Sequence, residues 1–245
     1  MNFDFGNFEN ELKKHFNKEH HLVTEDLIRY WFIGSHSSNG DAYTEVPYIR
    51  AGKTPLVINA NAPKLNSDRA RADLYYGDID NCKKKNAVEQ DVVVEFKYHR
   101  CTRYSDCCTG TDCGSVFRDL NRLSILENKE KYFVYVFDQK MKEYYDEKIK
   151  KNPNSAYDIF NTGNNRPSNP IKVDGSFDVI VGQRGYGEVK KGAFSQFDTN
   201  NKTFTFGNFN YKVKVLYSSK ITDITVTEFG ESKPKSYYLL ICQVL

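Results

Sequence analysis

The sequence predicts an α/β fold in which a central mixed β-sheet is flanked by helices and carries a β-rich C-terminal extension. Two observations predict this class. Apolar residues recur at helical spacing near the N-terminus and again after residue 115. Runs of β-branched and aromatic residues, which are typical of strands, lie between these helices and after them. The predicted order is therefore a helix, three strands, a helix, a strand, a helix and a β-rich tail.

Length and composition suit one sizeable domain with an elaboration. Of the 245 residues, 39% are hydrophobic, which supports a packed interior. We expect an α/β core at 1–151, and at 152–245 a loop insertion and a β-rich extension packed on the same domain. The net charge of +3 neither requires nor excludes a nucleic-acid partner, because such binding depends on local clusters of charge.

Neither a membrane segment nor an export signal is visible in the sequence. No apolar run approaches the ~20 residues needed to span a bilayer, so we expect no membrane partner. The N-terminus, Met1 to Gly6, is acidic and short of aliphatic residues, unlike a signal peptide. We therefore expect a cytoplasmic protein.

The first helical region is expected at residues 7–33, with an interruption at His20 and His21. Thr24 is a good N-cap for the second part of this region, and Gly34 is expected to end it. The adjacent histidines could ligate a metal ion, but a surface junction between two helices is the simpler interpretation.

The other core elements follow from strand and helix periodicity. Strands are expected at 42–49, 71–77, 91–99 and 131–138, and helices at 116–126 and 139–151. Pro47 marks the first strand as an edge strand or a bulge, because proline has no N–H group for the ladder. Ser115 is the expected N-cap of the helix that follows it. The second and third strands are expected to form a hairpin.

The C-terminal part is expected to be mostly β-structure. Residues 152–176 are rich in Asn, Gly, Pro and Ser, which predicts a loop. Alternation at 204–217 and 221–229 predicts a meander at one edge of the sheet. The segment 238–245 is continuously apolar, so we expect it to be a strand of the central sheet that is buried on both faces.

Six cysteines allow two interpretations. They are Cys82, Cys101, Cys107, Cys108, Cys113 and Cys242. No C-x-x-C pair is present, and the adjacent cysteines do not fit the spacing of a zinc ribbon. We therefore favour reduced thiols in a polar loop over a metal site. Cys242 is expected to act as a small core hydrophobe.

The most informative segment runs from Asp91 to Lys97. The run Val92–Val94 predicts a buried strand, and Glu95 and Lys97 follow it two residues apart, on one face. A carboxylate and an ammonium that leave a buried strand together are costly unless they face a cleft. The expected hairpin places Asp73 of the preceding strand beside Glu95. This is the layout of a divalent-metal site for phosphodiester hydrolysis.

With these residues the chain resembles the PD-(D/E)xK nuclease superfamily, which has the restriction-endonuclease-like fold. The resemblance rests on Arg71-Ala72-Asp73-Leu74 and Glu95-Phe96-Lys97, with Ala72 where the family's name-giving proline stands. It covers residues 20–146 and implies an αβββαβ core. Many members carry a glutamate in the first helix, and Glu25 is placed for that role.

The resemblance implies a metal-dependent nuclease with Mg²⁺ as cofactor and Mn²⁺ as a substitute. Asp73, Glu95 and the backbone carbonyl of Phe96 would hold the metal. Lys97 would stabilise charge on the phosphate, or position or deprotonate the attacking water. Glu25 would be an outer ligand of the metal.

Candidate nucleic-acid contacts are the basic residues near this site, although solvated loop charge is an equal interpretation. They are Arg71, His99, Arg100 and Arg103. DNA is the expected partner, with RNA as substrate and a homodimer left open. The alternatives are a catalytically inactive nuclease-fold protein that binds nucleic acid or a protein, and a metal-binding module built on the cysteines.

Overall fold

The computed structural model describes the greater part of the chain. The described residues are 3–35, 41–48, 56, 71–77, 92–100, 110–128, 130–151, 156–160, 177–181, 211–228 and 231–245. Within these residues the fold is mixed α/β, with one seven-stranded sheet and four α-helices. The predicted fold class is confirmed at this level. None of the described helices is long and apolar enough to cross a membrane.

The N-terminal region folds as two helices separated by one turn of 3₁₀-helix. Helix α1 is Phe5–Glu19, the turn is His20–Leu22, and helix α2 is Glu25–Gly34. The predicted interruption and the predicted end at Gly34 are confirmed. Thr24 caps α2 as predicted, because its hydroxyl accepts a hydrogen bond from the backbone N of Leu27 at 3.3 Å.

The central strands place the candidate site on neighbouring elements. They are β1 (Ala42–Pro47), β2 (Arg71–Tyr76), β3 (Val92–His99) and β4 (Glu130–Asp138). Strands β2 and β3 are antiparallel, and Leu74 is opposite Val94, so the predicted hairpin pairing is confirmed. Strand β4 is parallel to β3, and helix α3 (Gly110–Ser124) connects them, as a parallel pair requires.

Helix α3 begins earlier than the sequence predicts. Ser115 was the expected N-cap, but the helix begins at Gly110, and the Ser115 hydroxyl donates to the carbonyl of Asp112 at 2.7 Å inside the helix. The first turn is polar, so apolar periodicity becomes visible only from Val116. Helix α4 runs from Gln139 to Lys151, as predicted.

The C-terminal strands extend the same sheet. They are β5 (Phe177–Val181), β6 (Tyr211–Glu228) and β7 (Glu231–Val244), and the sheet order is β1-β2-β3-β4-β7-β6-β5. The last strand pairs antiparallel with β4, so its predicted place in the central sheet is confirmed. The division into regions 1–151 and 152–245 stays a prediction.

Strand β6 differs from the sequence prediction. Two strands were expected, at 204–217 and 221–229, but residues 211–228 form one strand; residues 204–210 lie outside the described part of the chain. Its pairing with β7 shifts in register between Val215 and Tyr217 and again between Lys220 and Thr222. These irregularities interrupt the alternation without ending the strand, and the sequence pattern cannot distinguish the two cases.

The sheet is covered by helices on both faces. Helices α1 and α2 pack on one face through residues such as Phe16 and Phe32, and α3 and α4 pack on the other through Phe117 and Tyr145. Strands β3 and β4 are therefore buried on both sides, which explains their continuous apolar runs. Among the described residues Cys113 and Cys242 are free thiols buried in the core. The other four cysteines lie outside the described residues.

Candidate active site

Strand β3 presents Glu95 and Lys97 to helix α3. The alternate residues of β3, including Val94 and Phe96, pack against the layer formed by α1 and α2. Glu95 and Lys97 face the other way, and their side chains are 3% and 18% exposed. Both reach α3: the ammonium of Lys97 is 3.1 Å from Asp119 Oδ2, and the guanidinium of Arg122 is 3.8 Å from Glu95 Oε1.

Asp73 enters the same region from strand β2. Its Oδ2 accepts a hydrogen bond of 2.6 Å from the backbone N of Phe96, the residue between Glu95 and Lys97. Its Oδ1 accepts a hydrogen bond of 3.3 Å from Arg29 on α2. The structure therefore brings Asp73 beside the Glu95-Phe96-Lys97 segment. The contact uses the amide N of Phe96, whereas the sequence singled out the carbonyl of that residue as a metal ligand.

Glu25 joins this region from the first turn of helix α2. Its Oε2 accepts a hydrogen bond of 2.8 Å from the backbone N of Tyr98 and lies 3.9 Å from the ammonium of Lys97. The four predicted catalytic residues thus come from α2, β2 and β3. Glu25 contacts Lys97 directly, and Asp73 contacts the backbone of Phe96 between Glu95 and Lys97.

Sequence reasoning missed Tyr48 and Arg122, which hold Glu95. The Tyr48 hydroxyl donates to Glu95 Oε1 at 2.7 Å, and Arg122 approaches that same oxygen. Arg122 also donates to the backbone carbonyl of Arg71 at 2.6 Å and lies over the Tyr48 ring, 5.1 Å from its centre. Arg122 thereby connects α3 to both β2 and β3.

Asp119 is a further residue that was missed, and it is the partner of Lys97. Its side chain is only 2% exposed. While Oδ2 faces Lys97, Oδ1 accepts from Arg122 at 3.0 Å and from Arg118 at 3.3 Å. A single buried carboxylate is therefore surrounded by three cationic side chains.

The charged side chains of the site pair with one another. Four carboxylates and four cationic side chains form what we call the ion-pair cluster: Glu25, Asp73, Glu95, Asp119, Arg29, Lys97, Arg118 and Arg122. Every carboxylate has a cation within 3.9 Å. In the part of the chain that the structure describes, no group of three or more His, Cys, Asp or Glu side chains has the arrangement of a metal site.

Burial and charge act in opposite directions on these groups. Burial raises the pKa of Glu95 well above its ordinary value, and it also raises the pKa of Asp73. Burial acts in the same sense on Asp119, but Lys97, Arg122 and Arg118 outweigh it and lower the pKa of that carboxyl. Burial disfavours charge on Lys97, yet Asp119 and Glu25 outweigh it and raise the pKa of the amine. Lys97 is therefore an ammonium opposite an ionised Asp119.

The candidate nucleic-acid contacts have defined positions. Arg71 is exposed and donates to the carbonyl of Glu45 at 3.0 Å. Arg100 donates to the carbonyls of His20 and His21 at 3.1 and 3.0 Å, so it fixes the end of β3 against the 3₁₀ turn. Arg103 lies outside the described residues.

His99, the remaining candidate, is held between two hydroxyl groups. Its Nδ1 is 2.8 Å from the Tyr135 hydroxyl, and its Nε2 is 3.3 Å from the Ser115 hydroxyl. Burial, and then the nearby Lys97, lower the pKa of His99 to about 4. The imidazole is therefore neutral at pH 7 and offers no positive charge to a phosphate.

We expect His99 to make the folded protein sensitive to acid. The unfolded chain takes up this proton near pH 6.5, but the folded protein takes it up only near the lowered pKa of about 4. The unfolded state binds more protons between these values, so falling pH lowers the free energy of unfolding. From pH 7.5 to 5 this residue should cost on the order of 2 kcal/mol.

Urea denaturation of the wild type and of His99→Gln at both pH values measures this cost. The variant should lose less stability in acid than the wild type loses. His21→Gln, which changes an exposed histidine, should keep the wild-type dependence. Equal losses in wild type and His99→Gln would contradict the assignment.

The missed residues differ in how visible they are in the sequence. Asp119 and Arg122 lie outside the apolar stripe of α3 that Val116, Leu120 and Leu123 mark, so helical periodicity predicts exposed side chains for both, whereas the structure buries them. Arg29 lies one helical turn after Glu25. Tyr48 gives no such signal, because its partner Glu95 is 47 residues away.

Comparisons of the chain with protein-family models, curated proteins and solved structures found no match. The ion-pair cluster and the residues that surround it are therefore the features that indicate the function.

Proposed function

We propose that the protein is a metal-dependent nuclease that hydrolyses phosphodiester bonds, with DNA as its substrate. The observation that carries the proposal is the meeting of Asp73 with the Glu95-Phe96-Lys97 segment, through the 2.6 Å hydrogen bond from Phe96 N to Asp73. Lys97 shares the face of Glu95, and Glu25 reaches both the backbone of Tyr98 and the Lys97 ammonium. The resemblance to PD-(D/E)xK nucleases supports the same assignment.

The donor atoms at this position fit a hard divalent cation. Mg²⁺ prefers carboxylate oxygens and retains several waters, so two protein carboxylates can hold it. Among the described residues, the partners of Glu95 both contact Oε1. The raised pKa values of Asp73 and Glu95 mark carboxylates whose charge is poorly stabilised by their surroundings, and a cation would stabilise it. Asp73 and Glu95 would therefore hold the ion.

The residues of the chain then have distinct tasks. Bound Mg²⁺ would supply a more acidic water and would offset negative charge on the phosphate. Lys97, as an ammonium, stabilises the charge that develops on the phosphate oxygens in the transition state. Glu25 fixes the end of β3 through the backbone of Tyr98 and supports the Lys97 ammonium.

Metal binding and cleavage by matched variants test the proposal. Plasmid DNA, single-stranded DNA and RNA are incubated with wild type, Asp73→Asn and Lys97→Met in Mg²⁺ or Mn²⁺. The melting temperature is followed in the same metals, since a cation that binds only the folded state raises it. Wild type should cleave and show the rise in melting temperature. Asp73→Asn should lose both, whereas Lys97→Met should keep the rise and retain only a residual rate of cleavage.

Asp223→Asn is the matched control, because Asp223 is an exposed carboxylate on β6 that pairs with Lys220. It should cleave like the wild type. Two results would refute the proposal. One is that both site variants cleave every substrate as fast as the wild type does. The other is that millimolar Mn²⁺ leaves the melting temperature of the wild type unchanged.

One observation favours a second candidate function, a non-catalytic nuclease-fold protein that binds nucleic acid. Every carboxylate of the ion-pair cluster already has a cationic partner. This second function would be supported if the wild-type protein binds DNA without metal in filter-binding or gel-shift experiments and does not cleave it.

A further inference from the structure

We infer that Asp119 is a positioning residue that fixes the Lys97 ammonium in the candidate site. This inference rests on the proposed function and deepens it, because it assigns the control of Lys97 to helix α3. None of the four catalytic residues that the sequence predicted lies on α3.

The first step is the freedom of the lysine side chain. Lysine carries a flexible four-carbon stem, and its ammonium can donate in any direction. Lys97 has two carboxylate partners among the described residues: Asp119 at 3.1 Å and Glu25 at 3.9 Å. The closer contact is with a side chain that is 2% exposed, whereas Glu25 is 33% exposed. Asp119 is therefore the partner that sets the position of the ammonium.

The second step is that Asp119 is itself immobile. Its Oδ1 accepts hydrogen bonds from Arg122, three residues later on α3, and from Arg118. With both oxygens engaged, the carboxylate has a single orientation, and Oδ2 points at Lys97. A flexible ammonium thus acquires a fixed place from a rigid helix.

The third step connects Asp119 to the other side of the site. Arg122 contacts Asp119 Oδ1 at 3.0 Å and approaches Glu95 Oε1 at 3.8 Å. One guanidinium therefore bridges the partner of Lys97 and the carboxylate of Glu95. Helix α3 therefore contacts both Lys97, through Asp119, and Glu95, through Arg122.

A purely structural ion pair is the competing explanation, and the chain contains a suitable reference. Lys142 and Asp146 on α4 form a lysine–aspartate pair in which the lysine is also largely buried. Asp146→Asn removes the same charge from a lysine–aspartate pair outside the ion-pair cluster, with Asp146 39% exposed where Asp119 is 2% exposed. A structural role alone predicts wild-type kcat for each of the two variants that folds.

The experiment compares single-substrate cleavage by wild type, Asp119→Asn, Asp146→Asn, Lys97→Met and the double variant Asp119→Asn with Lys97→Met. We expect Asp119→Asn to lower kcat by about 10- to 100-fold, since small misplacements of catalytic groups have effects of this size. KM and the Mn²⁺-induced rise in melting temperature should stay at wild-type values. Asp146→Asn should have wild-type kcat.

The double variant separates action through Lys97 from independent action. Once Lys97 is gone, Asp119 has no ammonium to position, so the double variant should be no slower than Lys97→Met alone. The double variant also removes both charges of the pair together, so it leaves no unpaired buried lysine. It can therefore be compared with Lys97→Met even if Asp119→Asn alone does not fold. Circular dichroism establishes that each variant is folded before its kinetics are compared.

Each outcome decides one question. A folded Asp119→Asn with wild-type kcat overturns the inference and leaves the nuclease function standing. A double variant that is slower than Lys97→Met by the full Asp119→Asn factor also overturns it, because Asp119 would then act independently of Lys97. A wild type that cleaves nothing overturns the proposed function, and this inference falls with it.

Discussion

Arg122→Met is expected to lower the free energy of unfolding by about 3–5 kcal/mol, the cost of breaking a buried ion pair by removing one partner. Arg122 is 9% exposed and contacts two carboxylates and a backbone carbonyl. Its removal takes this cation away from Glu95, whereas the hydrogen bond from the Tyr48 hydroxyl to Glu95 Oε1 remains. A methionine fills the volume but supplies no hydrogen-bond donor.

Urea denaturation at pH 8 measures the loss, with Arg118→Met as the matched control. Arg118 contacts the same carboxylate, Asp119, at 3.3 Å, but its side chain is 20% exposed. We expect Arg118→Met to cost about 0–1 kcal/mol, as is typical of accessible ion pairs. A similar loss in the free energy of unfolding in the two variants would show that the bridging position of Arg122 stabilises the protein no more than the position of Arg118 does.

The cost of Arg122→Met should also depend on pH, because Arg122 opposes the rise in the pKa of Glu95. Without the guanidinium, the folded-state pKa of Glu95 rises further above its unfolded value. A carboxyl whose pKa is raised on folding stabilises the folded state at pH values below its pKa in the unfolded chain. This stabilisation is lost as the pH rises through its pKa in the folded protein. The variant should therefore be closest to wild type in acid. Adding Glu95→Gln should recover part of the loss at pH 8.

Local pattern was sufficient to predict the strand that carries the candidate site. The apolar run of β3 and the two-residue spacing of Glu95 and Lys97 predicted a buried strand with both side chains on one face, and their contacts with α3 agree. The hairpin with β2 was predictable because a short polar segment joins two strand-like runs. These features depend on neighbours in the sequence.

The partners of the site residues depend on the tertiary arrangement, and local pattern could not predict them. Arg29 meets Asp73 across 44 residues, and Tyr48 meets Glu95 across 47. Such pairs arise because α2 packs across β3 and because β1 lies next to β2 in the sheet. The sequence placed Asp73, Glu95 and Glu25 in one site, and the structure supplies each of these carboxylates with a cation.

This pairing gives the second prediction, which concerns metal affinity. Arg29 donates to Asp73 Oδ1 at 3.3 Å and to Glu45 Oε1 at 2.9 Å. A divalent cation on Asp73 would have to displace this guanidinium or bind next to it. Two unit charges 4 Å apart repel by about 4 kcal/mol at the effective dielectric near a protein surface. Arg29→Met is therefore expected to tighten Mn²⁺ binding by about 10- to 100-fold.

Calorimetric titration of Mn²⁺ measures the affinity without relying on cleavage. It is done at pH 8, because Arg29 lowers the pKa of Asp73 and its loss would favour a competing proton in acid. Arg100→Met is the matched control, since it removes a positive charge whose hydrogen bonds to the described residues are to backbone carbonyls of the 3₁₀ turn. A general effect of net charge would tighten binding equally in both variants. If Arg29→Met binds no more tightly than Arg100→Met, the guanidinium of Arg29 does not compete with metal for Asp73.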